Sequence, residues 1–141
     1  MTGYEHSLAY TVKRTQQAIR HAMDQALAGL TLTPPQYAAL SALSSETGLS
    51  NAELARRCFV TPQTMHQILG GLESRELIGR SPHLWHGKIV QVVVTEAGRQ
   101  LLERAHKLVG EVEAKMTHDL SAVEEKQATS VLLRCCTALE T

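Results

Sequence analysis

The sequence predicts a mainly α-helical protein with one small β-hairpin, and three observations carry that prediction. Helix beginnings recur as a capping residue followed by proline, or by glutamate or glutamine three places on. Residues 89–94 are rich in branched side chains that suit the two-residue period of a strand. Long amphipathic stretches occupy both ends of the chain. With 141 residues, 43% of them hydrophobic, one ordinary packed unit is the expectation.

Leu8, Val12, Ile19, Met23 and Leu27 recur at intervals of four or seven, which predicts a long amphipathic helix ending near Gly29. Thr33-Pro34-Pro35-Gln36 starts a second helix with an N-cap, a first-position proline and a capping-box glutamine. Tyr37, Leu40 and Leu43 form its stripe, and it stops around Thr47-Gly48. Ser50-Asn51-Ala52-Glu53 is a further capping box, with Leu54, Ala55 and Cys58 as the short buried side behind it. Thr61-Pro62 repeats the cap-plus-proline start, and Met65, Ile68, Leu69 and Leu72 share one face.

The period then changes. Val90, Val92 and Val94 alternate with Ile89, Gln91 and Val93 as a strand, a partner strand fits Leu77 to Ser81, and residues 82–88 make the hairpin loop. Thr95-Glu96-Ala97-Gly98 opens a long helix bearing Leu101, Leu102, Ala105, Leu108, Val109, Val112 and Met116. Ser121-Ala122-Val123-Glu124 caps a last one with Val131, Leu132, Cys135 and Leu139.

A hairpin directly behind two short, tightly connected helices is the arrangement of a winged helix-turn-helix. The terminal stripes exceed what a small central core can cover, so a second copy of the chain is the simplest way to bury them. The expected organisation is a single domain over 1–141. Its winged-helix core is 32–98, and it is flanked by dimerisation helices at 4–29 and 97–140.

Composition narrows the function classes. Fourteen basic and fourteen acidic residues cancel, so affinity for nucleic acid must come from local arrangement. Between Ser50 and Arg99 there are six basic residues against four acidic ones, and between Leu102 and Thr141 five against seven. No apolar run is long enough to span a bilayer, and charges are spread through Met1 to Leu30, so a soluble cytoplasmic protein is expected. Cys58, Cys135 and Cys136 lack zinc-type spacing and read as reduced, mostly buried thiols. The seven histidines include no His-x-x-x-His pair, and neither a metal nor a cofactor is expected. No nucleophile with a base, carboxylate pair or phosphate-cradling loop is visible, so no catalytic residue is assigned.

Taken in order, Leu32 to Tyr37, Leu49 to Arg57, Val60 to Leu72, Leu72 to Arg80 and Val94 to Gly98 resemble the MarR family of bacterial regulators over nearly the whole chain. The resemblance implies a winged-helix homodimer on a partly palindromic operator in double-stranded DNA. It implies a repressor in most cases, released when a small lipophilic or phenolic effector fills a pocket.

With Met65, Ile68, Leu69 and Leu72 facing inward, Gln63, Thr64, His66 and Gln67 are the candidates for reading bases. Glutamine suits bidentate contact to adenine, and the cluster lies at a helix N-terminus, where phosphate is favoured. Arg75, Arg80 and Lys88 are the candidate phosphate contacts, with Arg56 and Arg57 assigned to helix-end and acidic partners. Arg20, His21 and Tyr37 are the candidates for lining an effector pocket between terminal helices and core.

The chain departs from the family pattern in two places. Family recognition helices commonly carry arginine at positions matching Gln67 or Gly71, and Gly70-Gly71 costs roughly 1 kcal/mol per glycine relative to alanine. Close approach of the backbone to a partner and local flexibility are the two readings of that pair. At the wing tip His86-Gly87-Lys88 stands where many members have Asp-x-Arg, leaving Lys88, with His83 and His86 when protonated. Weaker or more pH-dependent binding of DNA is the expectation. The rival reading is a winged-helix dimer that has lost DNA binding and serves as a ligand-binding or protein-interaction module.

Overall fold

The computed structural model describes residues 3–82 and 90–140. The chain runs α1 (Leu8–Leu27), α2 (Pro34–Ser45), α3 (Asn51–Arg57), α4 (Pro62–Ser74), β1 (Ile78–Pro82), β2 (Val90–Val94), α5 (Glu96–Met116) and α6 (Ala122–Glu140). Short 3-10 turns precede α1 at Tyr4–His6 and follow it at Ala28–Leu30. The strands pair antiparallel with Ile78 opposite Val94 and Arg80 opposite Val92. The helix, helix, helix, helix, hairpin, helix, helix order expected from the sequence is the observed one.

Each helix start is made by side chains close in sequence. In α2 the Gln36 N–H donates to Thr33 Oγ1 at 3.2 Å, and the Thr33 N–H donates back to Gln36 Oε1 at 2.9 Å. The Ser50/Glu53 and Ser121/Glu124 pairs do the same for α3 and α6. These reciprocal bonds satisfy backbone donors that the first helical turn leaves orphaned. In α3 the Ser50 donors hold the Glu53 carboxyl below its usual range, with nearby Arg56 and Arg57 adding a smaller push the same way.

Helix stops follow a different rule. Thr31, Phe59 and Glu76 all take left-handed φ values, 52°, 58° and 59°. Behind each, the next N–H reaches five residues back: Leu32 to the Leu27 carbonyl, Val60 to that of Ala55, Leu77 to that of Leu72. These are Schellman endings, with the customary glycine replaced by threonine, phenylalanine and glutamate. The apolar pair that closes such an ending is buried in two of the three cases, Leu27 with Leu32 and Leu72 with Leu77. The first of these stops lies two residues past the Gly29 expected to end α1. The last one takes Leu77, so β1 begins at Ile78, one residue later than the sequence suggested.

The core gathers Leu27, Leu30 and Leu32 from the end of α1, Leu40 and Leu43 from α2, Leu54 from α3, Met65, Leu69 and Leu72 from α4, and Leu102 and Ala105 from α5. Each of the larger ones contributes about 1.5–3 kcal/mol by leaving water. α5 is seated on this core at its start. Thr95 Oγ1 donates to the Glu76 carbonyl at 2.7 Å and accepts from the Gly98 N–H at 3.0 Å. A Cβ at Gly98 would stand 2.1 Å from the Leu77 carbonyl oxygen, so only glycine fits there. By contrast no residue of α6 is buried, and Leu8 and Val12 at the start of α1 are exposed. Among the described residues no helix is long and apolar enough to cross a membrane.

Candidate nucleic-acid interface

α4 is locked from below and at its start. Met65 and Leu72 are 0% exposed, Leu69 is buried, and Ile68 packs against the same cluster. Thr61 Oγ1 accepts from the Thr64 N–H at 3.1 Å and donates to Thr64 Oγ1 at 3.0 Å. Asn51 Nδ2, at the first turn of α3, donates to the Pro62 carbonyl at 3.0 Å, so the N-terminal ends of α3 and α4 are tied together. With the inner face fixed, Gln63, Thr64, His66 and Gln67 are all exposed, opposite the apolar stripe. Two side-chain amides, a hydroxyl and an imidazole there offer donors and acceptors suited to base edges.

α4 runs unbroken through Gly70 and Gly71. A Cβ at Gly70 would meet nothing within 4 Å, and at Gly71 only the Gln36 side chain at 3.6 Å. Packing within the protomer therefore demands glycine at neither position.

The arginines are where three dimensions add most. Arg75 Nη1 donates to the Thr31 carbonyl at 2.6 Å and Nη2 to the Leu30 carbonyl at 3.1 Å. Both terminal nitrogens of this candidate phosphate contact are thus held, in the protomer by itself, against the turn that ends α1. Arg80 meets Glu73 with two nitrogens, Nε at 3.3 Å and Nη2 at 3.4 Å, so its charge on the hairpin is balanced from α4. Arg57 pairs with Glu46, an acidic partner as expected. Arg99 bonds to Glu96 and to the Val94 carbonyl. Glu73, which no sequence argument singled out, lies on α4 and Arg80 on β1, so nothing local in the sequence marked the pair. Lys88, His83 and His86 lie outside the described residues.

The three effector candidates are not gathered into one site. Arg20 pairs with Asp24 along α1 at 3.3 Å, and His21 is exposed on the same helix. Tyr37 is half-buried on α2, its hydroxyl 2.7 Å from Nδ1 of His106 on α5, with the two rings edge to face at 5.4 Å. Burial raises the Tyr37 phenol above its usual value. The grooves that α1 forms with α5 and with α6 are lined by other residues, Ile19 among them in both. Cys58 is buried, and burial raises its thiol too, which suits an inert side chain. Among the described residues no three His, Cys, Asp or Glu side chains come together as a metal-binding group.

Residues 29–83 match the model of the MarR family. The HTH-type transcriptional repressor Rv2887 of Mycobacterium tuberculosis is 34% identical over 125 residues, covering 89% of this chain and 90% of that protein. Its crystal structure with salicylic acid superposes with a TM-score of 0.78 at 32% identity, over 94% of this chain and 98% of that one. Its complex with DNA gives 0.72 at 32% identity, over 92% and 97%. The transcriptional repressor CouR bound to a 23-mer DNA duplex gives 0.82 at 26% identity, over 96% and 98%. A similarity that extends from α1 to α6, through the capped α4 and the hairpin behind it, places the chain in the MarR family.

Proposed function

We propose that the chain is a sequence-specific DNA-binding transcriptional regulator. In this reading it works as a cytoplasmic homodimer, a repressor released from a partly palindromic operator by a small lipophilic or phenolic ligand. The observation that carries the reading is α4 itself. Its inner face is sealed into the core while Gln63, Thr64, His66 and Gln67 stand together on the outer face of a helix whose start is pinned by Thr61 and Asn51. The DNA-bound structures of two similar repressors support that use of the face, and the salicylic acid complex of one supports an aromatic acid as the effector class.

In the proposed division, 32–98 reads DNA while 4–29 and 97–140 join two protomers. The bare apolar faces of α1 and α6 support the second role. Arg80 and Lys88 are the proposed phosphate contacts, the former exchanging Glu73 for phosphate on binding. Arg20, His21 and Tyr37 remain the proposed effector-facing residues, Tyr37 through its link to His106 between the reading unit and α5.

Selection of bound sequences from random duplex DNA, with and without salicylate, tests the reading. Enrichment of a two-fold symmetric sequence, lost when salicylate is added, is the expected result. The engaged arginines favour the rival, a dimer that no longer reads DNA. Equal affinity for all duplexes, with a shallow dependence on salt, would establish that rival instead.

A further inference from the structure

Arg75 ends α4 and binds the end of α1, 44 and 45 residues earlier in the chain. The Leu30 and Thr31 carbonyls belong to the 3-10 turn that follows α1 and to the left-handed residue that ends it, where carbonyls lack helical partners and carry partial negative charge. A guanidinium is suited to them: it is cationic, planar and able to reach two acceptors with separate nitrogens. Beneath it Leu27, Leu30, Leu32 and Leu72 are all buried. Apolar contact of that kind resists separation but is non-directional. The two-pronged polar contact adds direction, so it constrains the angle between α4 and α1.

That angle matters through leverage. α4 is 13 residues long, or about 20 Å at the usual rise. Arg75 is at one end and Gln63 at the other. A swing of about 10° about the Arg75 end would move Gln63 by about 3 Å, close to the rise of one base pair. In a dimer the two reading helices must enter grooves a fixed distance apart, so each angle sets half of the spacing.

Resting on the regulator reading above, we propose that Arg75 is a positioning residue that sets the spacing between operator half-sites without itself touching DNA. Its removal relaxes the choice of spacing and leaves the phosphate contacts unchanged. The test compares wild type, Arg75→Met and Arg75→Lys on the selected operator and on versions with one base pair inserted or removed at the centre, across a salt series. Wild type should lose about tenfold or more in affinity on the altered spacings. Arg75→Met should bind all three within about threefold of one another, with the wild-type salt slope, and Arg75→Lys, retaining charge but not the fork, should fall between.

Undiminished discrimination in Arg75→Met overturns the proposal. So does a uniform loss on every duplex with the salt slope reduced by about one, which marks a phosphate contact. A uniform loss accompanied by a lower melting temperature marks a purely structural residue and also overturns it. If Arg75→Met does not fold, full wild-type discrimination in Arg75→Lys serves as the contrary result. Failure of wild type to select any sequence refutes the regulator reading, a different outcome from all of these.

Discussion

α4 and α6 are both amphipathic helices begun by a threonine or serine cap, yet their apolar faces meet opposite fates. Met65 and Leu72 of α4 are fully buried, whereas Val123, Leu133 and Leu139 of α6 are 64%, 61% and 87% exposed. The difference teaches that caps and periodicity decide where a helix forms, while burial depends on what the remaining chain brings to it. α4 finds α2, α3 and β1 within its own protomer. α6 presents Val131 and Leu132 toward a groove shared with α1 that its own protomer leaves open.

The contrast can be broken most forcefully at Leu72. Leu72→Ala removes side-chain volume from a fully buried position and should cost about 2–5 kcal/mol in urea unfolding at any protein concentration. Gly98→Ala comes next. Its new methyl would collide with backbone at Leu77 and with Val94 Cγ1 at 2.8 Å, and a loss of about 3 kcal/mol is expected in the same assay. A negligible effect would mean that the start of α5 is free to shift.

On the other side of the comparison, Leu132→Asp should cost little at nanomolar protein. At micromolar protein it should abolish the rise of the melting temperature with concentration that a dimer produces. Sedimentation of the same samples should show wild type as a dimer and the variant as a monomer. A wild-type monomer at micromolar concentration would refute the role given to α6.

Two smaller effects sharpen the picture within the buried half. Phe59 is 95% exposed and held at a φ that favours glycine, so Phe59→Gly loses no packing and should raise stability by up to about 1 kcal/mol. Cys58 has a thiol raised above the ordinary 9.0 by desolvation. Its contribution to stability is therefore full below that ordinary value and is lost as pH rises through the higher folded value. Unfolding followed from neutral to strongly alkaline pH should show wild type falling more steeply than Cys58→Ala; parallel curves would contradict the burial of the thiol.

Helix starts were legible in the sequence because their chemistry is local: Ser50 and Glu53, or Thr33 and Gln36, lie three residues apart and need nothing else. The outer face of α4 was legible for the same reason, since one stripe of apolar residues determines what lies opposite. The stop of α2 was legible at Gly48, but those at Thr31, Phe59 and Glu76 were not, because these residues occupy turns where glycine is the usual mark. They are held there by backbone bonds and, at Thr31 and Glu76, by buried leucines. Nor were the engagements of Arg75 and Arg80, because a guanidinium looks alike whether it faces phosphate, a carboxylate or two carbonyls. Arg75 and Thr31 are brought together only when α1 and α4 share one core.

The bare face of α6 has a consequence for how long the molecule lasts. Proteases cut most readily where chain opens at little cost, and a helix that buries no residue within its own protomer has little to lose by opening. A lone protomer should therefore be clipped first within residues 122–140, and pairing should shield that stretch. Limited proteolysis at falling concentration would show it as a cleavage that accelerates on dilution. Turnover would then depend on dose: scarce copies are removed quickly, abundant copies protect one another, and the lifetime of the protein rises with its own supply.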